Sequence, residues 1–92
     1  MDKKFLDKVI DQILSETRID YEKGEIEFPF SYPHLSSPFP SFHSFFSSPS
    51  QFLSFFLKHC KEVYGLNREE WMYVWKEYVQ IIKDKIESST NY

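Results

Sequence analysis

Apolar residues recur at helical spacing at both ends of this chain and lose any regular period in its middle. Near the start, Phe5, Leu6, Val9, Ile10, Ile13 and Leu14 follow an i, i+4, i+8 pattern, with Asp7, Lys8, Asp11 and Gln12 opposite. That spacing predicts an amphipathic helix over residues 3–16 with Asp2 as its N-cap. The period then changes to two. Arg18-Ile19-Asp20-Tyr21 and Glu25-Ile26-Glu27-Phe28 alternate charged and apolar positions around Glu22-Lys23-Gly24. This predicts a β-hairpin over 18–28, with Gly24 in the left-handed conformation its loop requires. Ile19, Tyr21, Ile26 and Phe28 share one face. A lone two-stranded hairpin is marginal in water, so it must pack on a helix or pair again. Its two edges are candidate docking sites.

Helical spacing returns near residue 51. A helix over 51–64 follows Ser50 as cap and ends at Gly65, a residue suited to the left-handed C-terminal position. Asn67 followed by Glu70 has the form of a capping box and opens a last helix over 67–88, about 30 Å long at 1.5 Å per residue. Trp71, Val74, Trp75, Tyr78, Ile81, Ile82 and Ile86 make its apolar stripe, while Met72, Tyr73 and Val79 widen it beyond what one small core needs.

Residues 29–50 show neither period. From Phe28 to Leu57 the chain reads FPFSYPHLSSPFPSFHSFFSSPSQFLSFFL, which holds all five prolines and nine of the ten phenylalanines and no Asp, Glu, Lys or Arg. Proline favours extended and turn conformations for itself and the residue before it. Disordered segments are poor in aromatics, so this tract reads as an ordered strap hidden against something. Each buried ring contributes about 1.5–3 kcal/mol, and several are needed to offset ordering some twenty residues. The strap is therefore either internal, filling gaps over the helices, or an arm whose rings anchor a partner, or both.

A chain of 92 residues makes one small domain. The expected fold class is α+β, mainly α: an N-terminal helix, a β-hairpin, a long Phe/Pro/Ser strap and a C-terminal helical hairpin. The expected core is Leu6, Val9, Ile10, Ile13, Phe52, Phe55, Phe56, Val63, Leu66, Trp71, Trp75, Tyr78 and Ile82.

Charge narrows the function classes. Residues 1–27 carry five basic and eight acidic side chains, and residues 58–92 carry six of each. Neither end is a basic field, so nucleic acid is an unfavoured partner and a single-strand stacking platform fails on charge. No run of 18 apolar residues is present to span a bilayer. Phe52, Leu53, Phe55, Phe56 and Leu57 read as a buried helix rather than a membrane wedge, which would carry a Lys/Arg-rich face. The acidic residues within the first helix exclude a secretory signal. A cytoplasmic location, or one inside a virus particle assembled in the cytoplasm, is expected.

Candidate chemistry is thin. Cys60 has no disulfide partner in the chain, and His34, His43, His59 and Cys60 match no metal-ligand spacing, so no metal and no cofactor are expected. There is no GxSxG elbow, and with only Gly24 and Gly65 no phosphate loop. The carboxylates Glu69, Glu70, Glu77, Asp84 and Glu87 alternate with lysines as a solvated face does. Ser37-Pro38 and Ser48-Pro49 are weak modification signals. Cys60, Tyr64, Leu66, Trp71 and Val74 flank Gly65 with helix-turn-helix spacing, but Lys61 replaces the usual small residue and Glu69 and Glu70 would face phosphates.

The order FLDKVIDQILSETRIDYEKGEI, an F/P/S-rich middle and HCKEVYGLNREEWMYVWKEYVQIIKDKI resembles short uncharacterised reading frames of marine phages and environmental sequences. The resemblance implies no activity. The expectation is a non-catalytic interaction or structural protein, a homo-oligomer or a component docked on a larger, phage-associated assembly; a helix-turn-helix regulator is the alternative. The candidate interface residues are Phe39, Phe42, Phe45, Phe46, Tyr73 and Val79.

Overall fold

The computed structural model describes residues 1–30 and 39–90. Its elements are α1 (Lys3–Ser15), β1 (Arg18–Asp20), β2 (Glu25–Glu27), α2 (Phe42–Ser47), a 3-10 turn (Pro49–Phe52), α3 (Leu53–Tyr64) and α4 (Arg68–Thr90). The class is α+β, mainly α. Residues 31–38 of the expected strap, with His34 and Ser37-Pro38, lie outside the described residues.

Local chemistry starts and stops these elements. The Asp2 carboxylate accepts from the Phe5 N–H at 3.2 Å, satisfying a free donor at the start of α1. Gly65 ends α3 at φ 64°, where its N–H reaches the Lys61 carbonyl and the Leu66 N–H reaches Cys60. Two residues later the capping box closes in both directions. The Glu70 N–H donates to Asn67 Oδ1 at 2.9 Å, and the Asn67 N–H donates to Glu70 Oε1 at 3.0 Å.

The largest departure from the aperiodic reading of the strap is α2. Ser41 caps it through the Ser44 N–H at 3.0 Å, and Phe42, Phe45 and Phe46 fall at i, i+3 and i+4. Prolines on both sides hide this single turn and a half from a period search. The helix expected from residue 51 likewise divides into the 3-10 turn and α3, because Pro49 fixes the first position of the turn.

One core joins the elements. Leu6, Val9, Ile10 and Ile13 of α1 meet Val74, Tyr78, Ile82 and Ile86 of α4 in an aliphatic seam. Beside it lies an aromatic cluster built largely from the charge-free tract. Phe28 stands 4.9 Å from Phe30, 5.0 Å from Phe52 and 5.9 Å from Phe45, ring centre to ring centre. Phe56 stands 4.9 Å from Trp75 and 5.2 Å from Tyr78. These are the offset and tilted arrangements that aromatic rings favour. Tyr78 links the two halves. Thr17 Oγ1 donates to the Ile13 carbonyl at 2.7 Å, so the Tyr78 hydroxyl, 2.8 Å away, is the donor to Thr17.

The core differs from expectation at several positions. Val63 is 58% exposed and leaves the list: it shares the stripe of Phe56 and Cys60 but stands in the last turn of α3, just before Gly65, where the core no longer covers it. Phe55, Trp71 and Trp75 are partly buried at its margin. Ile26, Phe28, Phe30, Phe45 and Cys60 are buried instead, because the strap and hairpin fold over the helices.

Candidate interaction edge

The hairpin positions the feature with the clearest capacity for recognition. Asp20 builds its turn: one carboxylate oxygen accepts from the N–H groups of Glu22 at 3.1 Å and Lys23 at 3.0 Å. Gly24 completes it at φ 68° and donates to the Asp20 carbonyl at 2.8 Å. The register pairs Arg18 with Glu27, Ile19 with Ile26 and Asp20 with Glu25.

The two edges of this sheet differ. On the β2 side, the Ile26 N–H donates to the Pro40 carbonyl at 2.9 Å and the Phe42 N–H to the Gly24 carbonyl at 2.8 Å, with Glu25 opposite Ser41. The strap thus lies along β2 as a short third strand, and of the two edges read as docking sites this one is occupied. Because Ile26 turns its backbone groups toward Pro40, the antiparallel alternation turns those of Ile19 away from β2. Among the described residues, the N–H and C=O of Ile19 have no partner.

Around this open edge the side chains divide by face. Arg18 and Asp20 stand on the charged face, where Arg18 lies 3.9 Å from Glu27. Ile19 packs half-buried against the core. Tyr21 is 49% exposed, with its ring 6.2 Å from Phe42. Two hollows open beneath the edge. One, of about 220 Å³, is lined by Leu14, Thr17, Ile19, Tyr21, Ile82 and Lys85. The other, of about 570 Å³, lies between Tyr21 and the last turns of α4 at Ile81, Lys85 and Ser88.

The candidate interface residues do not form one patch. Phe45 is fully buried in the aromatic cluster and presents nothing to a partner in this fold. Phe39 and Phe42 lie half-buried on the hairpin side, Phe39 lining a hollow of about 700 Å³ with Arg18, Asp20, Glu25 and Glu27. Phe46 lies beside α4, with Lys83 Nζ 6.0 Å from its ring centre. Tyr73 faces α1: its hydroxyl donates to Asp7 Oδ1 at 3.0 Å and Lys3 Nζ stands 5.9 Å from its ring centre. That hydrogen bond to a carboxylate is the main reason its phenol titrates above the ordinary value. Val79 packs half-buried against the core. Sequence reasoning missed Ile19 and Tyr21 as an edge pair, although the alternation that predicted the hairpin already named them.

The groups with chemical potential are engaged otherwise. Cys60 is fully buried, and loss of water around it pushes its thiol up to about 12. Burial also raises the Tyr78 phenol, against a smaller opposing effect of Thr17. His59 Nε2 is buried with no partner among the described residues, its ring 6.0 Å from those of Phe30 and Tyr64. No group of three or more metal-ligating side chains occurs among the described residues, and none of their helices is long and apolar enough to cross a membrane. No protein-family model matches the chain, and neither a curated protein nor a solved structure matches it.

Proposed function

We propose that this chain is a non-catalytic interaction or structural protein that recognises a protein partner through the open edge of its hairpin. The observation that carries this reading is the backbone of Ile19, unpartnered among the described residues, set beside an exposed tyrosine and above hollows lined by α4. Backbone hydrogen bonding to such an edge supplies affinity, and side-chain pockets beside it supply specificity. The partner is itself or a component of a larger assembly; the resemblance to phage reading frames makes a phage particle one such assembly.

A non-catalytic role is supported by the state of the two best nucleophile candidates. The Cys60 thiol is buried and held in its neutral form, and the Tyr78 hydroxyl is committed to Thr17. For the helix-turn-helix alternative, the first turn of α4 carries Arg68, Glu69 and Glu70, with the Glu70 carboxylate already used in capping. No observation favours that reading over the edge.

The test is recovery of stable complexes by the full chain from its source, compared with the Ile19→Pro variant. Proline removes the outward-facing N–H and also replaces a side chain packed half-buried against the core, so the fold of the variant is checked first by circular dichroism. A partner held by the wild type and lost by the variant is the expected result. An identical set of partners for both, or none, overturns the reading.

A further inference from the structure

We infer that the open edge of β1 is self-complementary and pairs antiparallel with β1 of a second copy, in a register centred on Ile19. This rests on the edge-recognition reading above and specifies its partner. Three independent features of the edge converge on one register.

The first is backbone phase. Ile19 turns both its N–H and its C=O outward, so two copies meeting at Ile19 exchange two N–H···O=C bonds across a two-fold axis. Moving the axis to Arg18 would call on the Thr17 N–H, which already donates to the Leu14 carbonyl at 3.1 Å, and would set two arginines opposite each other; moving it to Asp20 would set two aspartates opposite each other. The second is charge. Centred on Ile19, the register sets Arg18 of each copy opposite Asp20 of the other, giving two opposite-charge pairs on the solvated face. A parallel arrangement would offset these pairs. Exposed pairs contribute little affinity, but they select orientation. The third is shape. Tyr21 opens the turn after Asp20, so the same register carries it past the three paired residues toward Thr17 of the other copy, just after α1. Thr17, Ile19, Leu14 and Ile82 line the hollow of about 220 Å³ beneath the edge. The 49% exposed ring of Tyr21 is thereby given a receiving site on the second copy, twice by symmetry.

The product is a continuous sheet in the order strap, β2, β1, β1, β2, strap, whose helices all lie on one side. Only three residues of each β1 pair, so the association is weak and depends on concentration. A sheet built this way ends at two copies, because β2 on the far side of each is closed by Pro40 and Phe42.

The experiment is amide hydrogen exchange and light scattering on the full chain across a wide concentration range. The expected result is a monomer–dimer equilibrium in which the Ile19 amide slows as concentration rises, while the Ile26 and Phe42 amides are protected throughout. Ile19→Pro should be monomeric at every concentration, with the circular dichroism of the wild type. Should that variant fail to fold, Arg18→Asp provides the second arm: it sets one aspartate opposite each Asp20 and should weaken the dimer about tenfold. Self-association unaffected by either variant overturns the register and points to another surface, leaving the interaction reading intact. A monomer at all concentrations whose edge still holds another protein also overturns it. A monomer for which Ile19→Pro changes no partner overturns this inference and the interaction reading together.

Discussion

The two edges of one small sheet show how this chain treats exposed backbone. On β2, Pro40 and Phe42 supply the missing hydrogen bonds, and the chain that carries them is anchored by phenylalanines buried a few residues away. On β1, Ile19 is left with outward N–H and C=O groups, fenced only by Arg18 and Asp20. The covered edge is held by the hydrophobic effect acting at a distance through the strap. The open edge has no such backing, and none of the described residues competes with a partner for it. The difference teaches that the aromatic tract is a clamp on one side of the hairpin as well as a core filler.

Removing the clamp is the harshest way to break the contrast. Phe28→Ala withdraws a ring that touches Phe30, Phe45, Phe52 and Tyr78, and should cost about 3–5 kcal/mol. Thermal unfolding would show it as a fall of well over ten degrees in a domain of this size. A melting point within a few degrees of wild type would mean the rings are not a packed unit.

The same buried side predicts a pH dependence. Cys60 lies one turn beyond Phe56, and burial moves its thiol from 9.0 to about 12. Above pH 9 the unfolded thiol loses its proton while the folded one keeps it. Stability is therefore whole below pH 9 and falls as pH rises toward 12. Tyr78 adds to the loss above pH 10, its folded phenol also being raised. Denaturant midpoints at pH 8, 10 and 11 should fall less steeply in Cys60→Ala than in wild type. Equal slopes would show that the thiol is not the group being titrated.

At the turn shared by both edges, Gly24→Ala should cost about 1–2 kcal/mol, from the left-handed backbone alone. An added Cβ meets only Phe42 Cδ2 at 3.9 Å, an ordinary contact. Urea unfolding measures it, and an unchanged midpoint would exclude the left-handed turn. The smallest effect belongs to the open edge. Arg18→Ala removes one exposed ion pair and should shift monomer stability by less than about 0.5 kcal/mol. A larger loss would mean that the edge is already part of the folding unit.

Much of this architecture is legible because the signals are local. Asp2 before an amphipathic run, Gly24 between alternating strands, Gly65 after a helical stripe, and Asn67 with Glu70 three residues on each specify a boundary through hydrogen bonds within a few residues. The aliphatic stripes of α1 and α4 are visible for the same reason, since a helix has to hide one face. The strap is where such reading fails. Ser41 and the Phe42, Phe45 and Phe46 spacing do encode α2, but six residues between prolines are too few to stand out as a period. Val63 misled because it continues the stripe of Phe56 and Cys60, and periodicity does not say how far along α3 the core extends.

The candidate site followed the same division. The hairpin and its edges were readable from alternation, yet the residues picked for contact came from the aromatic tract and, in Tyr73 and Val79, from the last helix. Phe45 is buried instead, Phe46 and Tyr73 meet partners within the chain, and the open backbone belongs to Ile19. By itself the sequence determined the first and last helices, the turn, the caps at Asp2, Gly65 and Asn67 and the need to hide an uncharged aromatic tract, because those follow from short-range hydrogen bonding and from solvation. Ser50 does not cap α3, which begins at Leu53 instead. Only the tertiary structure decided where the tract is hidden and which hairpin edge it closes. Ring packing and strand pairing join residues far apart in the chain, and the cost of bringing them together is repaid only when all of them arrive.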